Sequence, residues 1–344
     1  MNQYKLLSFL LFYCCMSCMH NSETAKIQNN RNNIINIHEK IKELVIEDVL
    51  ISNHSRIHVF DKYLMIIDYG GIDKLIHIFD KNDFTYITST GEAGPGPDEL
   101  SNIGMISYNA SNRILYVPDN GKNTIFCFEL DSIITQPHYI PKERLKFSIN
   151  QIPNDLQYMN DSIAIGSIII PTSNSDYRPA VGIWNMRTND IKLINSHDHP
   201  QIERKRTSFA VSVERGIFVE AYRFHNLMTI CDLDGNLKCY IYGNKWDTST
   251  QNRFVFYQKV GFCKDKIIAS YTDGDVNFIH DQNSGMRQNN PTQLIFFNIN
   301  GDYLKTIETG YKIIDFCYDN DNNRICMVLD DEIQFAYLDL DGIL

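Results

Sequence analysis

Arginines and aromatic residues are the side chains whose types and positions most clearly suggest binding chemistry in this sequence. Arginine forks grip carboxylate, sulfate or phosphate groups with paired hydrogen bonds, and aromatic rings supply flat stacking surfaces. The candidates fall at the ends of predicted strands or in the loops between them. We predict that the ligand-binding residues are Tyr177, Arg178, Arg206, Arg223, Arg253 and Arg287, together with Glu99 of a glycine-rich loop. The alternative is that these arginines pair with local Asp and Glu side chains.

Metal and catalytic chemistry have weaker support in the sequence. His197, Asp198 and His199 form an HDH loop, and Asp273 and Asp275 flank a glycine. Neither pattern carries the remaining ligands of a zinc or calcium motif, and no GxSxG, HExxH or phosphate-binding loop occurs. We therefore predict no resident cofactor, with a divalent ion in a central channel as the open alternative.

The elements that position these residues are short strands. From about Lys42 onward, alternating apolar runs are separated by Asp, Asn and Gly turns, and helical periodicity is nearly absent. The runs recur as strand–turn–strand–loop–strand–turn–strand units, which is the pattern of a four-stranded antiparallel blade. Six inner hairpins can be counted: Ile57 to Asp68, Ile106 to Val117, Leu156 to Ile170, Phe209 to Ala221, Tyr257 to Tyr271 and Ile313 to Leu329.

The predicted fold is therefore all-β, a six-bladed β-propeller of four-stranded antiparallel blades. The last blade has only three strands before the end of the sequence, so an N-terminal strand over Lys42 to Ile51 is expected to supply the fourth and close the ring. Extra residues fall on one face of the ring, in a blade 3 loop over Pro171 to Pro179 and a blade 5 loop over Thr272 to Gln293. The candidate arginines fall on that same face, where loops surround the central channel.

The stretch from Gly91 to Leu100, GEAGPGPDEL, is a rigid turn between two apolar runs. It resembles a loop of the TolB-like six-bladed propeller lipoproteins, which overlap with the NHL-type propellers. Gly94, Pro95 and Gly96 match the Gly-Pro-Gly of that loop, and Pro97 and Asp98 stand before the glutamate, Glu99. The resemblance implies the propeller fold and export, and it implies no particular activity.

The N-terminus reads as a targeting segment. Residues 1–18 are predicted to be a signal peptide, because Lys5 precedes an apolar run too short to span a bilayer. Ser17-Cys18 resembles a bacterial lipobox, so Cys18 is the predicted lipidation site, with an ordinary cleaved secretory peptide as the alternative. Residues 19–40 are predicted to be a polar tether and residues 41–344 the propeller. The expected location is the cell envelope, on the outer membrane through the lipid anchor.

Composition excludes one broad class of partner. The formal net charge is −10, which speaks against nucleic-acid binding, since that requires a basic surface. The sequence favours a binding module for an anionic glycan or peptide at the channel face over an enzyme. A metal-dependent hydrolase or lyase and a scaffold that docks an outer-membrane protein are the alternatives.

Overall fold

The computed structural model describes residues 24–136, 138–173, 175–194, 198–244, 246, 255–272, 278–281 and 285–344. For residues 278–281 and 285–288 the backbone alone is described. The predicted lipidation site at Cys18 and the predicted ligand residue Arg253 lie outside these residues, as does the side chain of Arg287.

The first three blades each contain four antiparallel strands in sequence order. Blade 1 consists of β4 (Ser55–Phe60), β5 (Tyr63–Asp68), β6 (Lys74–Asp80) and β7 (Tyr86–Glu92). Blade 2 consists of β8 (Ser107–Asn109), β9 (Ile114–Asp119), β10 (Thr124–Glu129) and β11 (Lys142–Lys146), with a short helix α1 (Leu130–Thr135) before β11. Blade 3 consists of β12 (Ile152–Tyr158), β13 (Ile163–Ser173), β14 (Asp176–Asn185) and β15 (Asp190–Ile194).

The remaining blades follow the same order but recruit strands from the N-terminus. Blade 4 consists of β16 (Thr207–Ser212), β17 (Ile217–Tyr222), β18 (Leu227–Asp232) and β19 (Leu237–Gly243). Blade 5 consists of β20 (Tyr257–Cys263), β21 (Lys266–Tyr271), β24 (Gln293–Asn298) and β25 (Tyr303–Glu308). Blade 6 consists of β26 (Ile313–Asp319), β27 (Arg324–Leu329), β28 (Phe335–Asp339) and the N-terminal β3 (Lys42–Glu43). The predicted six-bladed architecture and all six inner hairpins are confirmed.

Turn chemistry explains why the inner hairpins form where the sequence predicts them. The turns between the first and second strands contain a residue with positive φ in most blades. Those residues are Asp61, Arg113, Gly216, Lys264 and Asn323, with φ between 48° and 63°. The backbone can therefore reverse within two to four residues, and the apolar runs on either side of the turn pair as neighbouring antiparallel strands.

The hydrophobic core lies between neighbouring blades rather than at the centre of the ring. Six clusters of buried side chains fill the six junctions, and they contain in turn Phe128, Trp184, Phe218, Tyr257, Phe296 and Phe79. Six cysteines of the described chain are free thiols, and all but Cys317 are buried in this core. Because the apolar side chains pack between the blades, the central channel is left to polar and aromatic residues.

The ring closes through the N-terminal strand, as the sequence predicts. Lys42 and Glu43 pair with Tyr337 and Ala336 on the third strand of blade 6. The Leu44 N–H then donates to the Phe335 carbonyl at 2.8 Å, and the Leu44 side chain is buried at the junction with blade 1. The regular strand is shorter than the predicted Lys42 to Ile51.

The segment predicted as a polar tether over residues 19–40 is structured in its described part. β1 (Ala25–Gln28) adds in parallel to the outer edge of blade 4, and β2 (Ile34–Asn36) adds in parallel to the outer edge of blade 5. The prediction of a free tether is therefore wrong from Ala25 onward. The physical reason is that an exposed sheet edge offers unpaired backbone groups, which even a polar segment can satisfy.

The two long loops also differ from their prediction. Most of Pro171 to Pro179 is hairpin, because β13 runs to Ser173 and β14 begins at Asp176. Within the predicted loop over Thr272 to Gln293, β22 (Phe278–Asp281) and β23 (Gly285–Gln288) pair as a separate two-stranded hairpin. Both predicted loops therefore contain paired β-strands.

Candidate functional site: an arginine-lined channel mouth

A cavity of about 590 Å³ opens at the end of the central channel where the first strands of the blades begin. It is formed by the starts of β4, β16 and β20, by the hairpin tip of blade 3 and by the turn after β17. Its described lining residues are Arg56, Met105, Asn154, Asp155, Tyr177, Arg204, Arg206, Thr207, Ser208, Arg223, Phe224 and Gln258. Among these residues, four are arginines and one is a carboxylate.

Arg206 is held rigidly at the rim of this cavity. Its guanidinium lies 4.0 Å from the centroid of the Tyr177 ring and forms an ion pair with Asp176. Its Nη1 also donates to the carbonyls of Tyr177 at 2.8 Å and Lys205 at 2.7 Å. A fork fixed in this way loses little conformational freedom when a ligand binds.

Arg204 shares the same carboxylate. Its Nη2 lies 3.2 Å from the Asp176 Oδ1 that also accepts from Arg206. The predicted alternative of local pairing therefore applies to both arginines. However, two guanidinium groups share one carboxylate, so the rim keeps an excess of positive charge.

Arg223 adds a further positive charge to the cavity, directly after the strand that pairs with the one following Arg206. It lies in the turn between β17 and β18, where its N–H donates to the Arg206 carbonyl at 2.8 Å. Its side chain is half-buried. Burial lowers the pKa of the Arg223 guanidinium, the nearby charge of Arg56 lowers it further, and Tyr177 opposes the shift. An anion in the cavity would favour the charged form of Arg223 and so oppose both effects.

Arg56 projects from β4 into the channel itself. Its side chain remains accessible to solvent, although protein surrounds it on most sides. Burial lowers the pKa of Arg56. The nearby Asp315, Tyr69 and Asp155 raise it by more, so the pKa of Arg56 lies above its usual value. Arg56 therefore stays charged inside the channel.

Asp155 is the carboxylate among the described lining residues of the cavity. It lies at a bulge in β12, where the register with β13 shifts between Pro153 and Leu156, and its φ is +21°. Asn154 Nδ2 donates to its carboxylate at 3.2 Å. Burial raises the pKa of Asp155, Asp315 raises it too, and Arg56 and Lys259 pull it down by less.

A second cavity, of about 520 Å³, opens at the opposite end of the channel. Met105 and Asp155 line both cavities, so the two meet at this point of the channel. The second cavity is lined mainly by aromatic and aliphatic side chains, among them Phe60, Tyr108, Phe209, Phe262 and Phe316. The channel thus has one cationic mouth and one aromatic mouth.

Between the two mouths, the channel wall contains an ion pair between the half-buried Lys259 and the buried Asp315. Lys259 Nζ lies 2.5 Å from Asp315 Oδ1, and the Ile57 N–H donates to Asp315 Oδ2 at 3.0 Å. Burial raises the pKa of Asp315, but the charges of Lys259 and Arg56 lower it by more, so this carboxyl titrates below its usual range. Burial and the charge of Lys259 lower the pKa of His58 to about 3, so its imidazole is neutral.

The structure brings together three of the predicted ligand residues: Tyr177, Arg206 and Arg223. Arg178 follows Tyr177 on β14, but its side chain is exposed and is not among those lining the cavity. The predicted residue Arg253 and the side chain of Arg287 lie outside the described part of the chain.

Glu99 lies within its own loop and not at the cavity. Its carboxylate accepts from the Gly96 N–H at 2.7 Å, and its carbonyl accepts from Lys122 Nζ at 2.5 Å. A Cβ at position 94 would lie 2.1 Å from Glu99 Oε2, so a larger residue there would displace the Glu99 carboxylate from its present position. The loop over Gly91 to Leu100 therefore joins blades 1 and 2, and hydrogen bonds from Gly96 and Lys122 to Glu99 hold it in place.

Sequence reasoning missed Arg56 and Asp155 as lining residues. Arg56 lies in β4 and Asp155 in β12, each the first strand of its blade. In a sequence, an isolated charged residue within a strand is normally interpreted as facing solvent. The available signal was alternation, because Arg56, His58 and Phe60 occupy one face of β4, and the first strand of each blade faces the channel.

The candidate metal ligands have other roles where they are described. Asp198 pairs with Lys205 at 2.7 Å, and His199 is buried among aromatic rings. His197, Asp273 and Asp275 lie outside the described residues. In the part of the chain that the structure describes, no three His, Cys, Asp or Glu side chains gather in a way that could hold a metal ion.

Comparisons with known proteins agree with the fold. The model of the family DUF5128, described as a 6-bladed β-propeller, matches residues 26–162. No curated protein matches the chain by sequence. Within the described residues, no helix is long and apolar enough to cross a membrane.

Several solved structures are similar at low identity. One is a protein of Bacteroides fragilis NCTC 9343 whose name describes it as exported, with 10% identity, a TM-score of 0.56, and coverage of 92% of this chain and 98% of that chain. A member of the DUF4221 family from Bacteroides vulgatus ATCC 8482 has 10% identity, a TM-score of 0.59, and coverage of 90% and 98%. A luciferin-regenerating enzyme has 10% identity, a TM-score of 0.54, and coverage of 86% and 94%. At this identity, the similarity establishes the fold alone.

Proposed function

We propose that this protein is an exported binding module that takes an anionic glycan or a carboxylate-bearing peptide in the arginine-lined channel mouth. The support is the excess of arginine over carboxylate among the described lining residues of one cavity of about 590 Å³. This excess occurs in a chain whose formal net charge is −10, so it is not a consequence of composition.

Binding would follow from charge and preorganisation. Arg206 is already fixed over Tyr177, and Arg223 and Arg56 repel each other across the cavity. A carboxylate or sulfate placed between them gains charge-assisted hydrogen bonds and removes that repulsion. The half-enclosed channel strengthens these interactions relative to open water.

Titration calorimetry with defined anionic probes tests this function. The probes are short oligogalacturonides, sulfated chondroitin oligosaccharides and a glutamate-rich peptide, and the methyl-esterified oligogalacturonides serve as the uncharged control. We expect saturable binding of at least one anionic probe, weakened by added salt because the site remains open to solvent. Absence of saturable binding with every anionic probe, or equal binding of the esterified control, contradicts the proposal.

The same proposal includes a location. We infer that the chain is a TolB-like lipoprotein, anchored to the outer membrane through a lipid on Cys18. The support is the apolar run before Ser17-Cys18 and the likeness to a protein named as exported. Metabolic labelling with palmitate should mark the wild type and not Cys18→Ser. Equal labelling of both chains would contradict the anchor and leave the binding site unaffected.

A further inference from the structure

A separate cavity of about 320 Å³ lies at the rim of blade 4, beside the N-terminal strand β1. Its described lining residues include His199, Gln201, Tyr242 and Trp246, and Ile27 of β1 forms part of its edge. It shares no lining residue with the two channel cavities among those described. Its volume is at the lower end of the range for small-molecule sites.

Three aromatic rings form one wall of this cavity and fix each other edge to face. The Trp246 ring lies 5.0 Å from the His199 ring and 5.0 Å from the Tyr242 ring, at interplanar angles of 68° and 65°. His199 and Tyr242 are 5.9 Å apart at 81°. Rings packed in this way present flat apolar surfaces at little entropic cost.

The hydrogen bonds around His199 set the direction of the Tyr242 hydroxyl. The Gln201 N–H donates to His199 Nδ1 at 3.3 Å, so the ring proton of the neutral imidazole lies on Nε2. Nε2 is 3.1 Å from the Tyr242 oxygen and therefore donates to it. The Tyr242 hydroxyl is left with its own proton to donate toward a ligand.

Burial keeps this arrangement neutral. His199 is 6% exposed, and burial lowers the pKa of its imidazole, as does the charge of His225. Near pH 7 the ring is therefore uncharged and the tautomer described above persists.

The other described lining residues are uncharged and include several amides. Asn29, Gln201 and Asn244 line the cavity, and none of its described lining residues carries an Asp, Glu, Lys or Arg side chain. Amides both donate and accept hydrogen bonds, which matches the hydroxyl groups of a sugar. Aromatic faces match the apolar face of a pyranose ring. Among the described lining residues, a charged ligand would find no counter-charge.

From this composition we propose that the blade 4 cavity is a second binding site, for a neutral sugar ring that stacks on Trp246 and accepts a hydrogen bond from Tyr242. It is independent of the anionic site, because charge recognises the ligand in the channel mouth, whereas stacking and amide hydrogen bonds recognise it here.

Intrinsic fluorescence tests this site directly, since the chain has only two tryptophans. Trp184 has no exposed surface and lies in the core between blades 2 and 3, whereas Trp246 lies at the cavity. The probes are glucose, galactose, N-acetylglucosamine, maltose and cellobiose. We expect at least one to shift the emission saturably in the wild type and not in Trp246→Phe, with no dependence on salt.

Two tyrosines of β19 provide a matched pair of variants. Tyr240 and Tyr242 are both half-buried and both contact His199, but only Tyr242 lines the cavity. Tyr242→Phe should weaken sugar binding roughly fivefold through the lost hydrogen bond, and Tyr240→Phe should leave it unchanged. The proposal is overturned by no saturable change with any probe, by a change that persists in Trp246→Phe, or by equal affinities of the two tyrosine variants.

Discussion

At the scale of single residues, the first strands of the blades carry the chemistry of the channel. Arg56, Asp155, Lys259 and Asp315 place both signs of charge on a wall that would otherwise be ordinary sheet surface. The loop arginines could be predicted from the sequence because binding residues commonly lie in loops. The strand charges could not, because their importance depends on which strand is innermost, and that is a property of the assembled ring.

The ion pair of half-buried Lys259 and buried Asp315 predicts a stability effect. Asp315→Asn should reduce the free energy of unfolding at pH 7 by about 3 kcal/mol, because it leaves Lys259 without its partner inside the channel. Since the folded-state pKa of Asp315 is lowered, its contribution is present above the ordinary aspartate pKa of 3.8 and is lost as the pH falls through the folded value.

Urea denaturation at pH 7 and pH 3 measures this effect. Asp321→Asn is the matched control, because Asp321 pairs with Lys81 but its side chain is 68% exposed, so less than about 1 kcal/mol should be lost. Equal destabilisation by the two substitutions would contradict the assigned role of the channel pair.

His58 predicts a change in the pH dependence of stability. Its pKa is lowered from 6.5 to about 3, so between these values the unfolded chain takes up a proton that the folded protein does not. Stability should therefore fall as the pH falls from 6.5 toward 3, with a slope of up to about 1.4 kcal/mol per pH unit from this group. His58→Gln should flatten that slope and leave the curve above pH 7 parallel to that of the wild type. Unchanged slopes below pH 6.5 would argue against a buried neutral imidazole.

At the scale of elements, the N-terminal segment shows where sequence patterns fail. β1 and β2 join blades 4 and 5 as parallel edge strands through backbone hydrogen bonds. Ile27 and Ile34 are 69% and 54% exposed, so no alternating apolar pattern marks these strands. Between them, Arg31 is buried, with Nη1 3.1 Å from both Asn226 Oδ1 and the Tyr257 hydroxyl oxygen. A polar sequence can dock this way because its partners are backbone and polar groups already in place.

Truncation tests the role of this segment. A chain beginning at Ile37 should melt roughly 5–10 °C below a chain beginning at Thr24, because it loses two edge strands and the Arg31 contacts. It should also self-associate more, since two sheet edges become unpaired. Scanning calorimetry and light scattering measure these effects. Identical melting of the two chains would mean that β1 and β2 contribute nothing to the ring.

At the scale of the whole molecule, the fold was the most predictable feature. Each blade is built from local hairpins whose turn residues and apolar runs lie close together in sequence. The incomplete last blade then required a strand from elsewhere, and β3 supplies it. The ligand site was less predictable, because it is assembled from four blades and from side chains far apart along the chain.

Ring closure predicts a distinct stability effect. Leu44 is 3% exposed at the junction of blades 6 and 1, so Leu44→Ala should cost about 3 kcal/mol of unfolding free energy through the cavity it leaves. Its neighbour Val45 is 63% exposed, and Val45→Ala should change the stability by less than about 0.5 kcal/mol. Chemical denaturation compares the two, and a similar loss in both would argue against closure at this point.

Two arginines on the same face of the ring give the sharpest test of an anion site in the channel mouth. Arg223 lines the channel mouth, whereas Arg178 is exposed and outside it. With the anionic probe that binds the wild type most tightly in calorimetry, Arg223→Ala should weaken binding by about tenfold or more, and Arg178→Ala should leave it unchanged. Equal affinities of the two variants, or a larger loss for Arg178→Ala, would contradict an anion site in the channel mouth.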